Sequence, residues 1–111
     1  MIIVEKNEGT KIDYEIQNTS TKKKITFDDD LTINLAKREE DWPVHIDVCL
    51  DSDGDLVIGT AAGRKYVAEI DIPARQYEEI PNQDPDPEAG PVRNPLPLDL
   101  DLCTLSLWSL E

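Results

Sequence analysis

A chain of 111 residues has room for about one hydrophobic core and excludes a catalytic domain joined to a separate substrate domain. Its 24 acidic against 11 basic side chains leave a net charge of -13, which repels phosphate backbones and anionic lipid. Nucleic acid and membrane surfaces are thereby set aside as partners, and another protein, of basic character, is the expected one.

The chain opens on MIIVEKNEG, which lacks the basic start and long apolar run of a secretory signal, and no segment approaches the roughly 20 apolar residues that span a bilayer. A cytoplasmic protein is expected. In that compartment Cys49 and Cys103 are reduced core residues rather than a bridge.

Period-two alternation then dominates. In TKIDYEIQ, Ile12, Tyr14 and Ile16 alternate with Lys11, Asp13 and Glu15, as in a strand with one wet face. Ile25 and Phe27, then Leu31, Ile33 and Leu35, continue the pattern. LAKREED, residues 35–41, has no apolar stripe and reads as a loop with one helical turn at most. VHIDVCL puts Val44, Ile46, Val48 and Leu50 on one face, and KYVAEIDI does the same with Tyr66, Ala68, Ile70 and Ile72.

Between those two runs lies DSDGDLVIGTAAG, residues 51–63, which admits three readings. An EF-hand loop starting at Asp51 matches Asp53 and Asp55, but it has Leu56 where glycine is needed and Ala62 where the bidentate glutamate belongs. A calcium turn of another kind, using Asp51, Asp53 and Asp55, is an alternative. A phosphate cradle at Gly59–Tyr66 fails on spacing, and a strand follows it instead of a helix. A tight turn at 51–54 and a second at 61–63 account for every residue, giving a meander of 44–50, 55–60 and 64–72. The stretch also resembles one blade repeat of the β-propellers of two-component sensors, through its aspartate-glycine turn and the IGT that follows. It occurs once, so the resemblance implies the hairpin geometry alone, because closing a propeller takes four or more blades.

From Ile80 to Pro97 the chain holds six of its eight prolines. Each removes a backbone donor, so the segment reads as a stiff connection free of regular sheet, with a polyproline-type ligand around Pro91, Arg93, Pro95 and Pro97 as the alternative. LDLDLCTLSLWSLE follows, residues 98–111, and its leucines alternate, then change phase near Cys103 and Thr104. A strand with a bulge that returns to the body is expected.

The fold class expected is all-β: a single-domain antiparallel β-sandwich or small barrel of seven to eight strands. Residues 1–79 supply the core strands, 80–97 the proline-rich connection and 98–111 a C-terminal strand. Catalytic material is scarce. His45, the one histidine, shares a strand face with Asp47 and Cys49, where it reads as a solvated residue or as half of a metal site or general-base pair completed from another strand. No catalytic constellation emerges, so an enzyme is not expected and no cofactor is assigned.

Charge is uneven along the chain: residues 1–75 hold 16 acidic and 10 basic side chains, and residues 76–111 hold 8 and 1. The expected function is accordingly a non-enzymatic interaction or structural accessory module. It would dock through a strand edge or through Asp84, Asp86, Glu88, Arg93, Asp99 and Asp101. Ligand binding at the 51–55 aspartates and an acidic, anion-mimicking inhibitor are the alternatives.

Overall fold

The computed structural model describes residues 1–80 and 92–111. It is an all-β protein with three sheets, and among the described residues they do not close into a barrel. The first strand, β1 (Ile2–Glu5), pairs in parallel with the last, at Thr104–Leu107. A meander follows, β2 (Tyr14–Asn18), β3 (Lys23–Phe27) and β4 (Leu31–Asn34), and makes a three-stranded sheet of its own. Its turns put Ile16, Ile25 and Ile33 in one cross-strand row. Asp28 and Asp29 have φ of 54° and 52°, a left-handed conformation that short polar side chains tolerate. One helical turn, α1 (Leu35–Arg38), is capped by Asn34 and sinks Leu35 into the core.

The larger sheet is built on β5 (Val44–Leu50), β6 (Leu56–Ile58) and β7 (Lys65–Ile72). Two more strands, β8 (Tyr77–Ile80) and β9 (Val92–Pro95), pair only with each other among the described residues, and β10 (Thr104–Leu107) completes the five-stranded order β1-β10-β7-β5-β6. Ile46, Ile70 and Leu105 align across β5, β7 and β10, at 4, 0 and 0 % exposure. Ile25, Phe27, Ile33 and Leu35 belong with this row to one continuous apolar cluster, which joins the two sheets.

Several expectations are corrected. The described residues contain ten strands rather than seven or eight, and the β1–β10 pair is parallel. β1 escapes sequence reading because IIVE has no alternation: it is an edge strand, and Ile2, Ile3 and Val4 remain 52, 41 and 37 % exposed. Regular sheet does enter 80–97, as β9. Proline is admitted there because β9 has one neighbour and an open side, where a missing N–H leaves no ladder bond unmade. The phase change near Cys103 is a 3₁₀ turn at Leu100–Leu102, not a bulge. It buries Leu98 and Leu100 while turning Leu102 outward, 45 % exposed.

The bulge lies in β7 instead. Val48 opposes Ala68 but Cys49 opposes Tyr66, so Val67 is the extra residue. The face changes there: Val67 is fully buried and Tyr66, expected on the apolar side, is 41 % exposed. Both cysteines are unpaired and buried. Among the described residues no helix is long and apolar enough to cross a membrane.

Candidate functional site

Asp84, Asp86 and Glu88 lie outside the described residues. The other three docking candidates fall in two places. Arg93 is exposed on β9 with its guanidinium carbon 4.3 Å from the centre of the Tyr77 ring, a cation–π contact that ties β9 to β8. Asp99 caps the 3₁₀ turn, accepting from the Asp101 amide at 3.0 Å. Asp101 is exposed, 3.7 Å from the α-amino nitrogen of Met1. Arg93 thus belongs to the β8–β9 arm, and the two aspartates to the turn beyond its base.

That base is fastened to the segment after α1. Arg75 reaches the Glu39 carbonyl at 2.9 Å and the Asp41 carboxylate at 3.2 Å, and the Tyr77 hydroxyl donates to Asp41 at 2.5 Å. The Arg75 amide adds a bond to the Glu40 carbonyl. Within the arm Glu78, Glu79, Arg93, Asn94 and Pro95 are exposed.

The aspartates of the 51–55 turn do gather, with ligand oxygens within 4.8 Å of one another. Their local work is backbone capping. One Asp51 oxygen accepts from the amides of Asp53 and Asp55, both at 2.9 Å, and Gly54 supplies the positive φ of 81° that the turn needs. This is the hairpin reading of the segment, and it joins β5 to β6.

The densest polar cluster is elsewhere, on the outer face of β5 and β7. Antiparallel register sets His45 opposite Asp71 and Asp47 opposite Glu69. The His45 Nδ1 is 2.6 Å from Asp71 Oδ1, and its Nε2 is 2.8 Å from Asp47 Oδ1 and 3.3 Å from Glu69 Oε1. Trp108, just past β10, donates its indole N–H to the other Glu69 oxygen at 2.7 Å. The hydrogen bond to Asp71 raises the His45 pKa; burial opposes this and the Asp47 contact reinforces it. With carboxylates at both ring nitrogens, the imidazolium is the form that satisfies every partner.

The neighbour pair His45–Asp47 was legible in VHIDVCL; Glu69, Asp71 and Trp108 were not assigned. Their signal was the polar phase of KYVAEIDI, but which residues of β7 meet which of β5 depends on the bulge at Val67. Cys49, on the same face of β5, is covered by the loop before β7: a Cβ at Gly63 would meet the Cys49 sulfur at 2.9 Å. Burial raises the Cys49 pKa, with Asp47 and Glu69 adding to the effect. The thiol therefore stays protonated beside the cluster.

Comparison with protein-family models, with curated proteins and with solved structures returned no match.

Proposed function

We propose that this protein is a non-enzymatic interaction module that docks on a basic protein surface through the β8–β9 arm. The observation that carries the reading is the arm itself. Among the described residues its two strands pair only with each other, none of those between 73 and 97 belongs to the apolar core, and Arg75 and Tyr77 hold its root. A hairpin built and fastened without serving the core is a presentation device. The radius of gyration is 17.9 Å, against about 13 Å for a compact chain of this length, which agrees with an element standing off the body.

Charge supplies the partner's chemistry. Glu78 and Glu79 are exposed on β8, Asp84, Asp86 and Glu88 follow in sequence, and Asp99 and Asp101 flank the return. A lysine- and arginine-rich surface is complementary to that set, and long-range attraction would speed its encounter. The single apolar cluster shared by the two main sheets supports a sandwich-like body beneath the arm, and free thiols agree with a cytoplasmic setting.

The test is capture of partners from cell lysate on the immobilised full chain. The control is a variant carrying Glu78→Gln, Glu79→Gln, Asp84→Asn, Asp86→Asn, Glu88→Gln, Asp99→Asn and Asp101→Asn; asparagine preserves the cap at 99. A stoichiometric basic partner, lost in the variant and released as salt rises, is the expected result. Equal retention by the variant, or no partner at all, overturns the reading.

A further inference from the structure

The geometry points to a divalent first-row transition-metal site on the outer face of the five-stranded sheet, with His45 Nε2, Asp47 and Glu69 as ligands and Asp71 and Trp108 as the groups that orient them. It is independent of the docking arm.

Three observations carry this. First, the donor atoms are already gathered: Asp47 Oδ1 and Glu69 Oε1 lie 2.8 and 3.3 Å from His45 Nε2, and all three ligand atoms fall within 4.8 Å of one another. A tetrahedral ion with bonds of about 2.0–2.1 Å holds its ligands about 3.3 Å apart. Of the two edges that meet at Nε2, the one to Glu69 matches and the one to Asp47 needs to open by about 0.5 Å on that geometry, a small rotamer change at Asp47; the third edge, between the carboxylates, is within 4.8 Å.

Second, each ligand is held by a further contact. Asp71 takes the other imidazole nitrogen at 2.6 Å, so Nε2 is the nitrogen turned to the site, the carboxylate–imidazole–metal order that selects a tautomer. Trp108 binds the remote oxygen of Glu69 at 2.7 Å and leaves the near oxygen free to coordinate. The 51–55 aspartates have no imidazole and no equivalent support.

Third, the patch carries surplus negative charge. Asp47 and Glu69 are directly opposite one another on adjacent inner strands, with side chains only 23 and 20 % exposed, an arrangement that is destabilising for like charges. Among the described residues no lysine or arginine forms an ion pair with Asp47, Glu69 or Asp71; His45 is the only cation within reach. A divalent ion answers that surplus, and imidazole with two carboxylates suits zinc or cobalt better than the oxygen-only preference of calcium. The His45 side chain is 47 % exposed, so the site is open to solvent on the imidazole side, and an open depression of about 240 Å³ borders the ring where it meets Asp71.

The test is titration of the metal-free full chain with cobalt(II) chloride and zinc chloride, read by cobalt absorption, calorimetry and Trp108 fluorescence in a Trp42→Phe background. One ion per chain is expected, with zinc displacing cobalt and altered Trp108 emission. His45→Ala and Glu69→Gln, each checked for native circular dichroism, should lose binding at least tenfold. Asp71→Asn and Trp108→Phe should weaken it by about 10- to 100-fold, the range for groups that orient ligands, whereas Asp51→Asn with Asp53→Asn should leave it unchanged. Absence of saturable binding at millimolar metal overturns the proposal, as does binding that survives His45→Ala or disappears with the 51–53 variant. If His45→Ala unfolds, Glu69→Gln together with the His45 nitrogen shifts of the parent decides: unmoved shifts on adding zinc overturn it.

Discussion

Single side chains in this protein are placed by what surrounds them more than by their own character. Cys103 shows this. It is fully buried, its sulfhydryl faces the Asp99 carbonyl, and burial pushes its pKa up to about 11. Because the folded value exceeds that of the unfolded thiol, the stabilisation is complete below about pH 9 and disappears as pH rises towards 11. The parent should therefore lose about 2–3 kcal/mol more than Cys103→Ala between those limits, measured by urea unfolding at each pH. Parallel curves would contradict the assignment. At the Asp28–Asp29 turn, both residues adopt a left-handed φ that glycine accepts without strain. Asp29→Gly should stabilise by about 1 kcal/mol, read as a higher urea midpoint, and a lower midpoint would refute the strain argument.

At the scale of elements, the two chain ends hold each other. Beyond the β1–β10 pairing, the Ser109 amide donates to Asn7 at 2.7 Å, the Leu110 amide to the Thr10 carbonyl at 2.8 Å, and Glu111 accepts from the Thr10 hydroxyl. Gly9 is the tight point: it has φ of 120°, and a Cβ there would lie 2.3 Å from the Ser109 hydroxyl oxygen. Gly9→Ala should cost about 2–4 kcal/mol, combining backbone strain with overpacking. Gly54→Ala, with positive φ but open space around it, should cost only about 1–2 kcal/mol. Equal losses in chemical denaturation would mean that the Ser109 contact contributes nothing. The strands whose apolar residues alternate, β2 to β5 and β7, were legible from that period, and in β3, β4, β5 and β7 the alternation marks a buried face. β1 was not, because a strand exposed along its whole length has no apolar period to display, and YEEI and VRNP, the sequences of β8 and β9, carry no alternation either. The C-terminal leucines misled in a different way: a 3₁₀ turn and a bulge both shift phase by one residue, and spacing alone does not distinguish them.

For the whole molecule, the separation of arm and body makes a prediction of its own. Because the core takes none of the described residues between 73 and 97, replacing residues 79–93 by a short glycine-rich turn should leave thermal unfolding cooperative, with its midpoint within about 4 °C, equivalent to less than about 1 kcal/mol. The same variant should lose the basic partner. Loss of the cooperative transition would make the arm part of the fold and remove the argument for presentation.

Alternating Ile, Val and Leu by themselves determined an all-β chain with Ile25, Phe27, Ile33, Ile46 and Ile70 inside, since period-two burial is a local consequence of strand geometry. Composition likewise determined the acid character of the last third. Only the tertiary structure decided that the ends pair in parallel, that Val67 forms a bulge, and that Glu69 and Asp71 converge on His45 with Trp108 behind Glu69. Those are facts of register between strands that are distant in sequence. Pairing is chosen by the packing of the whole core, and a shift of one residue exchanges the two faces of a strand.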